Sequence, residues 1–167
     1  MDFLTHLQNH EPHETWSNLA AAAEKRFSEA LTLKTTPGKE LGAIYLLGYV
    51  VEIYLKVGFY RLSGLKPMDA ISGTAFASIR HWLRKNGYRN AHDLQGLLHL
   101  LKVERARLGI TWSPEESKDL QNAVDLVSKN WSESLRYRYA RPNNQYLNDA
   151  FRGCTWVLTH RTLLWRK

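Results

Sequence analysis

The sequence predicts an all-α bundle of five or six helices, and three observations carry that reading. Apolar residues recur at three- and four-residue intervals through successive segments, the spacing that lines one side of a helix. Pro12, Pro37, Pro67, Pro114 and Pro142 all fall between those segments or at their starts, where a missing N–H costs least. No alternating strand pattern, hairpin turn or internal repeat interrupts them. Composition agrees. A chain of 167 residues that is 44% hydrophobic and 23% charged is neither disordered nor collagen-like. At this length roughly 70% of the unfolded surface is buried, enough for one domain with a real core.

Residues 1–13 are expected to be a flexible N-terminal segment, and 14–167 a single helical domain. The first helix covers 15–33, with Trp16, Leu19, Ala20, Ala23, Phe27, Ala30 and Leu31 along one side. After the Pro37-Gly38 turn, residues 40–62 are apolar around most of the helix girth, which places that helix at the centre. Glu52 and Lys56 lie inside it, and each costs roughly 3 kcal/mol to insert into lipid, which argues against a membrane span. Gly42, Gly48 and Gly58 there cost about 1 kcal/mol each in helix propensity. Close approach of a neighbouring helix is their expected use.

Residues 63–73 form a loop, and a helix over 74–86 closes at Gly87. Asn90 is the expected N-cap of the next helix, which runs to about Leu108. Ser113-Pro114-Glu115-Glu116 is a strong start signal: a capping Ser, Pro at the first helical position and Glu at the third. That helix should reach about Trp131. The last helix covers 144–165, with Leu147, Ala150, Phe151, Cys154, Val157, Leu158 and Leu164 on one side.

The formal charge of +7 is unevenly placed. Residues 76–110 hold seven basic and two acidic groups, and residues 132–167 hold seven and two again. Two such segments favour anionic partners: RNA, DNA or a nucleotide. The single cysteine, Cys154, forms no internal disulfide, and the start of the chain lacks a basic stretch leading into an apolar one. A soluble, cytoplasmic protein is expected. With six Trp and eight Tyr and so apolar a central helix, surplus aromatic area points to a homodimer.

No glycine-rich phosphate loop, nucleophile elbow, His-Glu-x-x-His or kinase signature is present, so no catalytic residue and no cofactor is assigned. His6, His10 and His13 stand near helical spacing, but a metal site there is the lesser reading. His92 and His99, expected two turns apart on one helix with no carboxylate-rich site beside them, read as structural or surface residues. The segment from Trp131 to Pro142 is richer. If extended after Leu135, it turns Arg136 and Arg138 to one side and Tyr137 and Tyr139 to the other. Pro142 keeps Arg141 out of the helical region. Interleaved Arg and Tyr grip phosphates and stack on bases, making Arg138, Arg141, Tyr139 and Tyr146 the candidate ligand-binding residues. In the bland alternative the tyrosines fill a gap between helices.

Gly42-Ala-Ile-Tyr-Leu-Leu-Gly48-Tyr-Val-Val-Glu52-Ile-Tyr-Leu-Lys56 resembles a signature of bacterial HEPN-domain proteins, Gly-Ala-x-Tyr-Leu-x-Gly-Tyr-x-x-Glu-x-x-Leu-Lys. His92-Asp93-Leu94 with the Leu97-Leu98 pair is similar to that family's His-Asp-Leu helix, and Trp131 with Arg136-Tyr137 to its tryptophan and Arg-Tyr element. The three occur in the family's order across residues 41–140. The resemblance implies an α-helical bundle, frequent homodimers and work around nucleic acids or nucleotides. Many members are metal-independent ribonucleases of toxin–antitoxin or phage-defence systems, and others accompany a separate nucleotidyltransferase. Active nucleases in the family place a His shortly after an Arg near the start of the last helix. Here that window reads Pro142-Asn143-Asn144-Gln145-Tyr146, without a His. The expected function is therefore non-catalytic binding of nucleic acid, nucleotide or a partner protein through the Arg-Tyr region. A divergent ribonuclease toxin is the alternative, and a protein–protein adaptor the third. The family-like spacing also implies that Arg136 or Arg138 reaches the buried Glu52, with Lys56, one turn along, as the competing partner.

Overall fold

Six α-helices and two 3₁₀ turns make up the described residues, 14–138 and 142–166, of the computed structural model. The bundle is all-α, as the periodicity predicts. Helices α1 (Trp16–Lys34), α2 (Glu40–Leu62), α3 (Gly73–Lys85), α4 (Leu94–Arg107), α5 (Pro114–Ser128) and α6 (Asn144–Thr159) follow in order. One 3₁₀ turn, Glu133–Tyr137, precedes α6, and another, Arg161–Leu164, follows it. The expected N-terminal segment 1–13, with His6, His10 and His13, lies outside the described residues.

Each of these helices starts where side-chain chemistry supplies a cap, α2 excepted. Thr15, Ser72 and Asn143 accept from the backbone N–H groups of Asn18, Ala75 and Tyr146. Ser113 and Glu116 form the reciprocal capping box that their spacing predicts. The cap of α4 is Asp93, not Asn90, and its carboxylate accepts from the Gly96 N–H at 2.9 Å. Asn90 acts earlier: its side-chain oxygen accepts from the His92 N–H at 2.9 Å, an Asx turn that holds His92 outside the helix. Residues 92 and 99 therefore do not share a helix.

Helix α2 is the core. It packs against α1, α4, α5, α6 and both 3₁₀ turns, and Ile44, Leu47, Val50, Val51, Tyr54, Leu55 and Tyr60 are sealed from solvent. Its length and apolarity would suffice to cross a membrane, but most of it is buried inside the bundle. Glu52 is buried among these apolar residues.

Two expected helices stop early. Helix α5 ends at Ser128, and Trp131 swings back onto α2 instead of extending α5. Its indole lies against Gly48, where a Cβ would stand 2.1 Å from the ring, and its Nε1–H donates to the Tyr45 carbonyl at 3.0 Å. Gly48 thus admits a side chain, not a neighbouring helix. Helix α6 ends at Thr159, where His160 folds back to stack on Trp156 at 4.3 Å. The following 3₁₀ turn tucks Leu163 and Leu164 into the core. Nearby, the Arg61 guanidinium lies between two indoles, 4.5 Å from Trp16 and 4.2 Å from Trp165.

Candidate functional site

One imidazole joins three parts of the chain. His92 Nδ1 stands 2.9 Å from Glu52 Oε1 on α2, and His92 Nε2 stands 3.2 Å from Glu133 Oε2 on the 3₁₀ turn. The same Glu52 oxygen accepts from Lys56 Nζ at 2.6 Å. Asn90 holds both ends of the arrangement, taking the His92 N–H and donating to Glu133 Oε1 at 3.4 Å. A neutral imidazole has one N–H. Two ring nitrogens facing two carboxylates therefore fit the doubly protonated ring, and the hydrogen bond to Glu52 raises the His92 pKa against the opposing pull of burial.

The expected link from Glu52 to Arg136 or Arg138 is not formed. Residues 133–137 coil into a 3₁₀ turn instead of extending, which turns Arg136 outward, its guanidinium 4.7 Å from the Tyr137 ring centre. Arg138, just after the turn, takes the extended conformation, and its side chain is exposed. Lys56, the competing partner, pairs with Glu52 together with His92. The carboxylate-rich surroundings of His92 correct the reading of it as an isolated structural or surface residue.

Aromatic rings brace the bridge. Tyr49 meets Tyr45, Trp131 and His92 edge-on, at 4.9, 5.6 and 6.5 Å between ring centres. Its hydroxyl is 3.2 Å from that of Tyr45, and burial raises its pKa.

Two clefts flank His92 and share Arg89, Asn90, His92 and Glu133. The one of about 270 Å³ continues along Asp93, Gln95, Ser128 and Trp131. The other, about 330 Å³, is walled by Arg80, Arg84 and Tyr88. Arg80 and Arg84 are one turn apart on α3, and Arg89 follows in the loop. All three are exposed, and none is paired with a carboxylate among the described residues. Glu133 is the sole acid lining this cleft among the described residues. Three guanidiniums line this cleft with Glu133 as its one acid among the described residues, while His92 is engaged by Glu52 and Glu133. Such a cluster of free guanidiniums suits phosphate groups.

Sequence reasoning named none of Arg80, Arg84 and Arg89 individually, and it read His92 as structural or surface. The charge excess of 76–110 and the one-turn spacing of Arg80 and Arg84 were the available signals. Of the candidates it did name, Arg138 and Tyr146 are exposed, but neither lines the clefts. Tyr139 and Arg141 lie outside the described residues. No cluster of metal-type ligands occurs among the described residues. No family model, curated protein or solved structure matches the chain significantly.

Proposed function

We propose that this chain is a non-catalytic, HEPN-like domain that binds single-stranded nucleic acid or nucleotides through their phosphates. The convergence of Arg80, Arg84 and Arg89 on one cleft beside His92 supports this reading. The Arg-Tyr segment starts beside the same cleft, which Glu133 lines, and in this reading the exposed Arg138 and Tyr146 supply a further cation and a stacking ring outside it. A homodimer in the cytoplasm, with a nucleotidyltransferase as a partner protein, belongs to the same proposal. Fluorescence anisotropy with a short single-stranded RNA tests it. With about three phosphates neutralised, log affinity falls against log salt with a slope of about −2. Replacing Arg80, Arg84 and Arg89 together should flatten that slope. Absent or salt-insensitive binding rejects the reading and leaves the adaptor.

One observation favours the ribonuclease alternative: His92 supplies, beside the arginines, the proton-transfer group that the start of α6 lacks. Its geometry weighs against cleavage. Both ring nitrogens are held by carboxylates, so none is free to meet a ribose hydroxyl. RNA cleavage abolished by His92→Ala would reverse this preference.

A further inference from the structure

Arg105 is a buried cation that no carboxylate of the described residues pairs with. It sits on α4, 4% exposed, and its Nη1 donates to the carbonyls of Arg166 at 2.9 Å and Leu163 at 3.4 Å. The ring of Trp112 covers the guanidinium at 4.7 Å. Its Nε–H is buried with no acceptor, and no carboxylate of the described residues lies within ion-pair distance. Guanidinium does not shed its proton to relieve such burial. Buried charges are ordinarily paired, and an orphaned buried donor calls for a specific explanation.

The surroundings are those of an anion site. Arg105 lines a pocket of about 160 Å³ with Lys102, Thr111, Trp112 and Ser117. Lys102 brings a second cation, its Nζ resting on Gln121 Oε1 at 2.7 Å. Thr111 and Ser117 add hydroxyls to the lining. The acid whose charge acts on Arg105, Glu116, is already engaged by Arg166 and by the Ser113 N–H. We propose that this pocket binds a phosphate-class oxyanion, with Arg105 as its buried counter-charge. A tetrahedral oxyanion accepts hydrogen bonds from several directions at once, and guanidinium, ammonium and hydroxyl donors are all present here. The pocket, about 160 Å³ and open to solvent, has room for a phosphoryl group. This pocket and the arginine cleft beside His92 share no residue.

Phosphorus NMR of inorganic phosphate titrated with the full chain, together with thermal melts in phosphate against chloride at matched ionic strength, tests the site. Expected are a broadened phosphate resonance and a melting temperature raised by a few degrees. Arg105→Gln should remove both. The Thr111→Val and Ser117→Ala pair, which spares the buried guanidinium, should weaken binding at least threefold in a normally folded protein. Replacing Arg80, Arg84 and Arg89 should leave both signals unchanged. Equal responses to inorganic phosphate and a nucleoside monophosphate uphold a site for the phosphoryl group alone; a stronger response to the nucleotide upholds the site with a nucleoside at its mouth. The proposal is overturned if chloride stabilises as well as phosphate. It is equally overturned if binding survives Arg105→Gln or vanishes with the cleft arginines.

Discussion

His92 and Glu133 meet at 3.2 Å, and through that contact the 3₁₀ turn carrying Arg136 and Tyr137 is tied to the buried Glu52 of the central helix. The tie depends on a proton, because only the doubly protonated ring donates to both carboxylates.

Stability should follow that proton. Folding raises the His92 pKa above its ordinary value of 6.5, through Glu52 first and Glu133 to a lesser degree, against burial and Lys56. The native state then holds the proton more tightly than the unfolded chain. The stabilisation is complete below about pH 6.5 and is lost as pH rises through the folded pKa. Melting temperature should fall over this range, and His92→Gln should flatten the profile. Superimposable profiles would remove the bridge from the stability of the bundle.

Glu52→Gln leaves Lys56 and His92 without their shared anion. Removing one partner of a buried pair costs roughly 3–5 kcal/mol. The lower end is expected here, because both cations retain access to water. Urea denaturation measures the loss, and a wild-type midpoint would contradict the buried pair.

Gly48→Ala forces a Cβ into the Trp131 ring. Overpacking of this kind costs about 1–3 kcal/mol, and tryptophan emission should shift to the red as the indole leaves α2. Gly73→Ala is the control. Its Cβ meets open space and its backbone is ordinary, so the same change there is expected to be neutral or stabilising by up to about 1 kcal/mol. Equal effects at the two positions would dissociate Gly48 from the docking of Trp131.

Arg138→Ala combined with Arg141→Ala should make the salt dependence of RNA binding shallower, by about 0.7 in slope for each phosphate no longer neutralised. Arg138 is exposed and makes no side-chain ion pair among the described residues, so the fold should be unaffected by its replacement. An unchanged slope would confine binding to the arginine cleft.

The helices were legible because burial imposes a period on the sequence, and Ser113 with Glu116 marks a helix start by chemistry that is entirely local. That Glu52 needed a partner was legible too, from its apolar neighbours. The identity of the partner was not. Lys56 lies one turn away and could be named, but His92 arrives through an Asx turn at Asn90 that competes with Asn90 as a helix cap. Arg136 leaves because its segment coils when alternation suggests extension. Gly48 signalled a close approach without saying that Trp131, far along the chain, would fill it. The arginine cleft needed the relative placement of α3 and the loop before α4, which no single segment encodes.

The indoles on either side of Arg61 come from the first and last stretches of the described chain. Closing that clasp brings together residues separated by almost its whole length, and the entropy of so large a loop must be overcome before the contact returns anything. Local helices and the α1–α2 hairpin can form without it. The clasp is thus expected to close after the folding transition state, so Trp165→Ala should speed unfolding and leave the refolding rate nearly unchanged.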